Sequence, residues 1–199
     1  MSRNFVSEGE SDPVAVFRGW LAEAETTEIN DPNAVALATA TREGVPSVRM
    51  VLLKQLDARG FVFFTNAESQ KGWELKENPV AAMCFHWKTQ HRQVRVEGTV
   101  TELPGVESDA YFASRSRGSQ LGAAVSRQSQ LLESRDVLVE MVKECEAGFP
   151  REIPRPDYWG GYVLWPRRLE FWQQGVDRLH DRMVFVREAD TWVGTRLFP

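Results

Sequence analysis

The chain has 199 residues, 42% of them hydrophobic and 11% aromatic, which suits one domain with a packed core. A formal charge of −4 excludes the basic surplus of a general nucleic-acid binder, while leaving room for a local cationic pocket around a small anion. No apolar run approaches the ~20 residues needed to span a bilayer, no signal-peptide pattern opens the chain, and two isolated cysteines, Cys84 and Cys145, read as reduced thiols of a cytoplasmic protein.

Residues 1–10, polar and glycine-bearing, are expected to form a flexible tail ahead of a single domain spanning 11–199. In SDPVAVFRGWLAEAE, Ser11 or Asp12 caps a helix with Pro13 at its first position, and Phe17, Trp20, Leu21 and Ala24 form one apolar face. AVALATAT (34–41), PSVRMVLLKQ (46–55) and FVFFT (61–65) are rich in β-formers and separated by turn residues. SQKGWELKENP (69–79) reads as a short helix closed by Asn-Pro, followed by strands VAAMCFHW (80–87) and RQVRVEGTVTEL (92–103). From Pro104 to about Gly148 the periodicity is helical, interrupted by SRSRGSQ. The last fifty or so residues return to strands in YWGGYVLW, RLEFWQQ, RMVFVRE and TWVGTRL. The pattern predicts an α+β, mainly β, antiparallel barrel with inserted helices.

Several stretches have chemical potential. Arg49 and Lys54 stand in a strand core, where charges need partners. Strand alternation sets them on opposite faces, so either a bulge intervenes or they serve different groups. Thr65, Ser69 and Lys71 cluster where a strand turns into a helix: a phosphate site, or an ordinary Ser69 cap beside an exposed lysine. Tyr111, Arg115 and Ser119 follow at steps of four; on one helix they would line a single face, as a phosphate grip or a solvated surface. Gln93, Gln128 and Ser129 are neutral groups able to read the edge of a heterocycle. In DRLHDR (177–182), an extended chain would set Arg178, His180 and Arg182 on one face, asking for an anionic or aromatic partner; a surface patch balanced by Asp177 and Asp181 is the alternative. The histidines and cysteines fit no metal-ligand spacing, so no metal is expected.

In order along the chain, RMVLLK, FFTNAESQKG, RQVRVEG, YFASRSRGSQLGA, VSRQS, WGGYVL and EFWQQGVDRLHDR resemble the pyridoxine (pyridoxamine) 5′-phosphate oxidases, flavoproteins of the FMN-binding split-barrel group. The resemblance covers nearly the whole chain. It implies an antiparallel split β-barrel with peripheral helices, forming a homodimer with one FMN per subunit at the interface. By position, Arg49, Met50, Val51, Leu52, Phe64, Thr65, Gln70, Lys71, Gln93, Gln128, Ser129, Trp172 and Arg182 correspond to flavin contacts, with Lys71 on the FMN phosphate. Lys54, Tyr111, Arg115 and Ser119 correspond to the grip on the substrate phosphate, and Arg178 and His180 to the catalytic residues at the substrate ring. Arg49 and Lys54 would then contact different ligands.

The implied reaction belongs to vitamin B6 salvage. Pyridoxine or pyridoxamine 5′-phosphate is oxidised at C4′ by hydride transfer to flavin N5, and O2 is the acceptor. The products are pyridoxal 5′-phosphate, H2O2 and, from the amine, ammonia. Three departures stand out. Gln70 occupies a place where the family often has arginine, MSRNFVSEGES lacks the tyrosine that many members carry in a segment closing over the substrate, and Phe64 replaces a tyrosine seen in some members. Two other readings are a split-barrel oxidase for a different aromatic substrate, such as a phenazine precursor, and a non-catalytic holder of FMN or pyridoxal phosphate.

Overall fold

The computed structural model describes residues 5–199. Helix α1 (Pro13–Thr27) begins where a proline and an acidic cap favour it, the Asp12 carboxylate accepting from the Ala15 N–H at 3.0 Å. Its buried face carries Phe17, Trp20 and Ala24. Phe17 meets Phe61 and Phe85 edge-on, with centroids 4.9 and 4.8 Å away, and so docks the helix onto the sheet. Residues 1–4 of the expected tail lie outside the described residues; Val6 is buried in the main core and Phe5 packs against it.

Nine strands follow: β1 (Ala34–Ala40), β2 (Pro46–Leu52), β3 (Gln55–Asp57), β4 (Gly60–Asn66), β5 (Val80–Trp87), β6 (Arg92–Glu102), β7 (Trp159–Gln173), β8 (Asp181–Glu188) and β9 (Thr191–Arg196). Helix α2 (Gln70–Glu77) lies between β4 and β5, while α3 (Gly105–Ser114), α4 (Arg117–Val125) and α5 (Arg135–Gly148) separate β6 from β7. All pairings are antiparallel, in the order β2-β1-β5-β6-β7-β4-β3, with β8 added to β7 and β9 to β8. β2 and β3 stand at opposite ends of that order, yet only Leu53 and Lys54 join them. The Leu53 N–H donates to Asn33 O at 2.9 Å and the Lys54 N–H to Val62 O at 2.8 Å. The sheet must therefore curl until its two edges meet, which makes it a barrel.

β7 decides how the barrel is split. The two runs expected from sequence, YWGGYVLW and RLEFWQQ, are one 15-residue strand. Its first part pairs with β4 and its last part with β8, while β6 accompanies it along the other edge. Pro166 stands at the change of partner, where its missing N–H costs no ladder bond to β4 or β8. A bulge lies opposite, between Glu97 and Gly98. A Cβ on Gly98 would sit 1.9 Å from the Trp165 carbonyl oxygen, so only glycine permits this approach. The main core fills the barrel and the space beneath α1. A second, smaller core of Phe112, Leu121, Ile153 and Trp159 supports α3 and α4 beside the barrel.

Candidate active site

The first part of the site forms where β4 runs into α2. Ser69 caps α2, its Oγ accepting from the Gly72 N–H at 3.4 Å. The helix start presses so closely on the preceding loop that a Cβ on Gly72 would lie 2.1 Å from Ala67 O. Lys71 is not the exposed lysine of an ordinary cap. It is buried, and its Nζ donates to Ser69 Oγ at 3.0 Å and Gln128 Oε1 at 2.9 Å. Burial, with the nearby charge of Arg49, pushes the ammonium down to about 8. Thr65 Oγ1 reaches the same Gln128 oxygen at 3.4 Å, and the Gln70 N–H donates to Ser129 Oγ at 3.2 Å. These contacts tie the 126–130 loop to the start of α2. The result is a buried cation beside a helix N-terminus, an arrangement suited to a phosphate.

Arg49 is held next to it by a carboxylate the sequence reading did not single out. Glu74 is buried on α2 and accepts from Ser47 Oγ, Thr39 Oγ1, Gln70 Nε2 (2.9 Å) and Arg49 Nη2 (3.4 Å). Burial opposes its charge, yet the hydrogen bonds from Ser47, Thr39 and Gln70, together with Arg49, hold the carboxyl below its usual range. Arg49 Nη1 and Nη2 also reach Thr39 and Ser47, so the guanidinium is aimed rather than free. The spacing of Gln70, Lys71 and Glu74 on one short helix was the available signal for Glu74.

The second cationic set lies across the same cavity wall. Tyr111, Arg115 and Ser119 do not share one helix as the spacing suggested. α3 ends at Ser114, Arg115 is extended (φ −74°, ψ 153°), and α4 starts at Arg117 behind a Ser116 cap. Ser116 wins the competition for local backbone, its Oγ taking the Ser119 N–H and starting a new helix. All three side chains still line the cavity, joined by Lys54 from the β2–β3 connection. Alternation did not separate Arg49 from Lys54 either, because β2 ends at Leu52 and the chain turns before Lys54. Arg115 is half-buried, with its guanidinium carbon 4.8 Å from the Trp159 ring. No described residue accepts a hydrogen bond from its buried Nη1, and burial pushes its pKa down.

The cavity has a volume of about 810 Å³ and brings together Arg49, Met50, Val51, Leu52, Lys54, Phe64, Thr65, Gln70, Lys71, Tyr111, Arg115, Ser119, Gln128 and Ser129. Trp159, Asn66, Ser47 and Ser126, which were not expected, line it too. Gln93, Trp172, Arg178, His180 and Arg182 do not line it within one chain; they form a separate group. Gln93, Trp172 and Arg182 are direct neighbours across β6, β7 and β8. The Trp172 ring lies 4.7 Å from His180, whose Nδ1 accepts from the Gly175 N–H at 3.2 Å. The expected extended face over 178–182 is corrected: Val176–Arg178 is a 3₁₀ turn, Asp177 and Arg178 have φ of 54° and 64°, and β8 begins only at Asp181. Arg178 is exposed, while Arg182 donates to the buried Glu170 through Nε at 3.0 Å and Nη2 at 2.6 Å. The three cations are thus spread by local turn geometry, and Glu170 is the anionic partner of Arg182. Among the described residues no group of histidine, cysteine, aspartate or glutamate could hold a metal ion.

Fold and cavity define the class of the protein, an antiparallel split β-barrel with an anion-suited cleft on its flank. A family model described as pyridoxamine 5′-phosphate oxidase matches residues 21–147, and one described as the pyridoxine 5′-phosphate oxidase C-terminal dimerisation region matches 159–199. The chain belongs to the pyridoxamine 5′-phosphate oxidase family. It is 57% identical over 182 residues to a pyridoxine/pyridoxamine 5′-phosphate oxidase from Anaeromyxobacter dehalogenans, covering 91% of this chain and 92% of the relative. It is 51% identical to the protein of the same description from Gluconobacter oxydans, covering 96% of each. Among solved structures, PhzG from Burkholderia lata, crystallised with tetrahydrophenazine-1-carboxylic acid, superposes with a TM-score of 0.91 at 33% identity, covering 96% of this chain and 95% of that one. A pyridoxamine 5′-phosphate oxidase-related, FMN-binding protein from Nostoc punctiforme shares the fold at TM-score 0.75 and 17% identity, covering 92% and 97%.

Proposed function

We propose that this protein oxidises pyridoxine 5′-phosphate or pyridoxamine 5′-phosphate to pyridoxal 5′-phosphate, as a cytoplasmic FMN-dependent homodimer. The alcohol and O2 give the aldehyde and H2O2; the amine, O2 and water give the aldehyde, ammonia and H2O2. One observation carries the reading: a single cavity presents two cationic sets, Lys71 with Arg49 and Lys54 with Arg115, which suit the phosphates of a cofactor and of a substrate. The residues fit FMN. The cavity lies within the ~300–1,000 Å³ typical of ligand sites, and both hydrogen-bond acceptors of the buried Lys71 ammonium are neutral, so an anion improves its surroundings.

Lys71, Arg49, Thr65, Gln70, Gln128 and Ser129 would hold FMN, with Met50, Val51, Leu52 and Phe64 along its ring system. FMN, when bound, supplies the two-electron oxidising group. Lys54, Tyr111, Arg115 and Ser119 bind the substrate phosphate and thereby fix the reacting carbon in place. The second group, Gln93, Trp172, Arg178, His180 and Arg182, completes the cavity of the other copy. Two observations support this: the dimerisation-region match spans all of these but Gln93, and Val48 and Met50 (67% and 63% exposed) offer an apolar row beside the cavity. Arg178 cannot act as a base and is assigned to clamping the substrate ring and stabilising charge there. Because His180 Nδ1 accepts the Gly175 N–H, the neutral imidazole carries its proton on Nε2. His180 is assigned to the substrate ring, where it orients the ring oxygen or exchanges a proton with it.

Purified protein is expected to be yellow and, given pyridoxine 5′-phosphate under air, to release H2O2 and pyridoxal 5′-phosphate in equal amounts. Bound flavin without peroxide would sink the oxidase reading and leave a binding protein; absence of flavin would sink the cofactor assignment.

A further inference from the structure

We propose that Trp159 is a positioning residue for the substrate-phosphate grip, presenting Arg115 to the cavity from its indole ring and ordering the stacked Phe64–Tyr111 pair beside it. The inference rests on the reading of that grip given above. Arg115 belongs to neither flanking helix, so no helical backbone orients it. Its guanidinium carbon instead sits 4.8 Å from the Trp159 ring, with Phe112 further off at 5.8 Å. Stacking of this kind uses the face of the guanidinium and leaves its N–H edge free. Consistent with that, no described residue accepts from the buried Nη1, which is left for an incoming acceptor.

The same indole orders the aromatic wall. Tyr111 lies 6.1 Å from Trp159 with the rings 10° from parallel, Phe64 lies 5.4 Å away at 14°, and Phe64 and Tyr111 stack at 3.9 Å. Trp159 is itself fixed by backbone. It opens β7 opposite Asn66, its N–H donates to Pro156 O at 2.9 Å, and its carbonyl accepts from Arg155 Nη1. A rigid platform thus carries two side chains whose own segment breaks between helices. An aliphatic residue would fill the space without attracting the cation or ordering the phenol.

The test compares Trp159→Leu and Trp159→Phe with the wild-type holoenzyme. Four quantities are read: KM and kcat for pyridoxine 5′-phosphate, Kd for FMN by flavin fluorescence, Kd for pyridoxal 5′-phosphate by its absorbance, and Tm. Trp159→Leu is expected to raise KM and the pyridoxal 5′-phosphate Kd about tenfold, between the sizes of an exposed and a desolvated cation–π contact, as suits the half-buried Arg115. FMN affinity should change much less, and Trp159→Phe should recover most of the loss. Unchanged substrate affinity in Trp159→Leu would overturn the proposal, as would equal weakening of FMN and pyridoxal 5′-phosphate, or Phe and Leu variants that bind alike. Should Trp159→Leu not fold, Trp159→Met, which fills the space without a ring face, takes its place in the comparison. Because pyridoxal 5′-phosphate binding is read at equilibrium, a wild-type protein without turnover counts against the oxidase reading and not against this one.

Discussion

Replacing Lys71 by methionine separates two effects of opposite sign. In the unliganded protein, burial pulls the ammonium from 10.5 to about 8. The folded pKa lies below that of the unfolded chain, so between about pH 8 and 10.5 the unfolded chain holds more protons and stability rises with pH. Below pH 8 the fold carries the whole penalty, about 3 kcal/mol at 1.36 kcal/mol for each pH unit of the gap. Methionine has similar length and no charge, and it forfeits the two hydrogen bonds to Ser69 and Gln128, worth about 1 kcal/mol each. Lys71→Met is therefore expected to stabilise the flavin-free protein by about 1 kcal/mol at pH 7. The difference from wild type should shrink as pH rises to 10. Flavin binding should respond in the opposite sense. Losing a charge-assisted hydrogen bond to a phosphate costs about 1.5–3 kcal/mol, or about 10- to 150-fold in the FMN Kd. Urea unfolding of the stripped protein at pH 7 and pH 10, followed by tryptophan fluorescence, measures the first effect; flavin titration measures the second. A variant that is less stable at pH 7 and binds FMN as tightly as wild type would refute the assignment of Lys71 to the phosphate.

Glu74→Gln keeps the shape but removes the charge facing Arg49, Ser47 and Thr39. The variant is expected to lose about 2 kcal/mol in urea unfolding, with weaker FMN binding because Arg49 is no longer aimed; equal stability would show that the pair is screened out. His180→Ala is expected to slow turnover far more than it weakens FMN binding, measured by peroxide release and flavin titration; equal losses would count against its place at the substrate ring. Met50→Asp puts a charge in the exposed apolar row of β2. It should shift the protein towards monomer in sedimentation and abolish turnover together, and an active monomer would sink the shared-site arrangement.

Much of the architecture was legible locally, since strand alternation and the Asp12–Pro13 helix start depend on residues within a few positions of each other. The ordered motifs likewise carried the family and its residue set. Where local reasoning erred, a near neighbour was responsible. Ser116 began a new helix inside an apparent four-residue repeat, and Asp177 and Arg178 adopted left-handed backbone where an extended chain would have aligned Arg178, His180 and Arg182. The single long β7 could not be seen either, because a proline normally ends a strand unless the strand changes partners there.

Tertiary structure decided which charges meet. Local sequence left Lys71 open between a phosphate ligand and an exposed lysine, because its burial comes from Ser69, Gln128 and the loop behind them, a partner 57 residues away. Glu74 offered only its spacing from Gln70 on α2, and Trp159 gave no chemical signal of its own; one matters through Arg49 and the other through Arg115, contacts that exist only once the sheet has curled and α3 and α4 have docked. The sequence by itself determined the residue types, their order and the family they belong to. Their pairing across the barrel, and the division of the site into a cavity group and a C-terminal group, required the fold, because side-chain contacts depend on distance in space rather than along the chain.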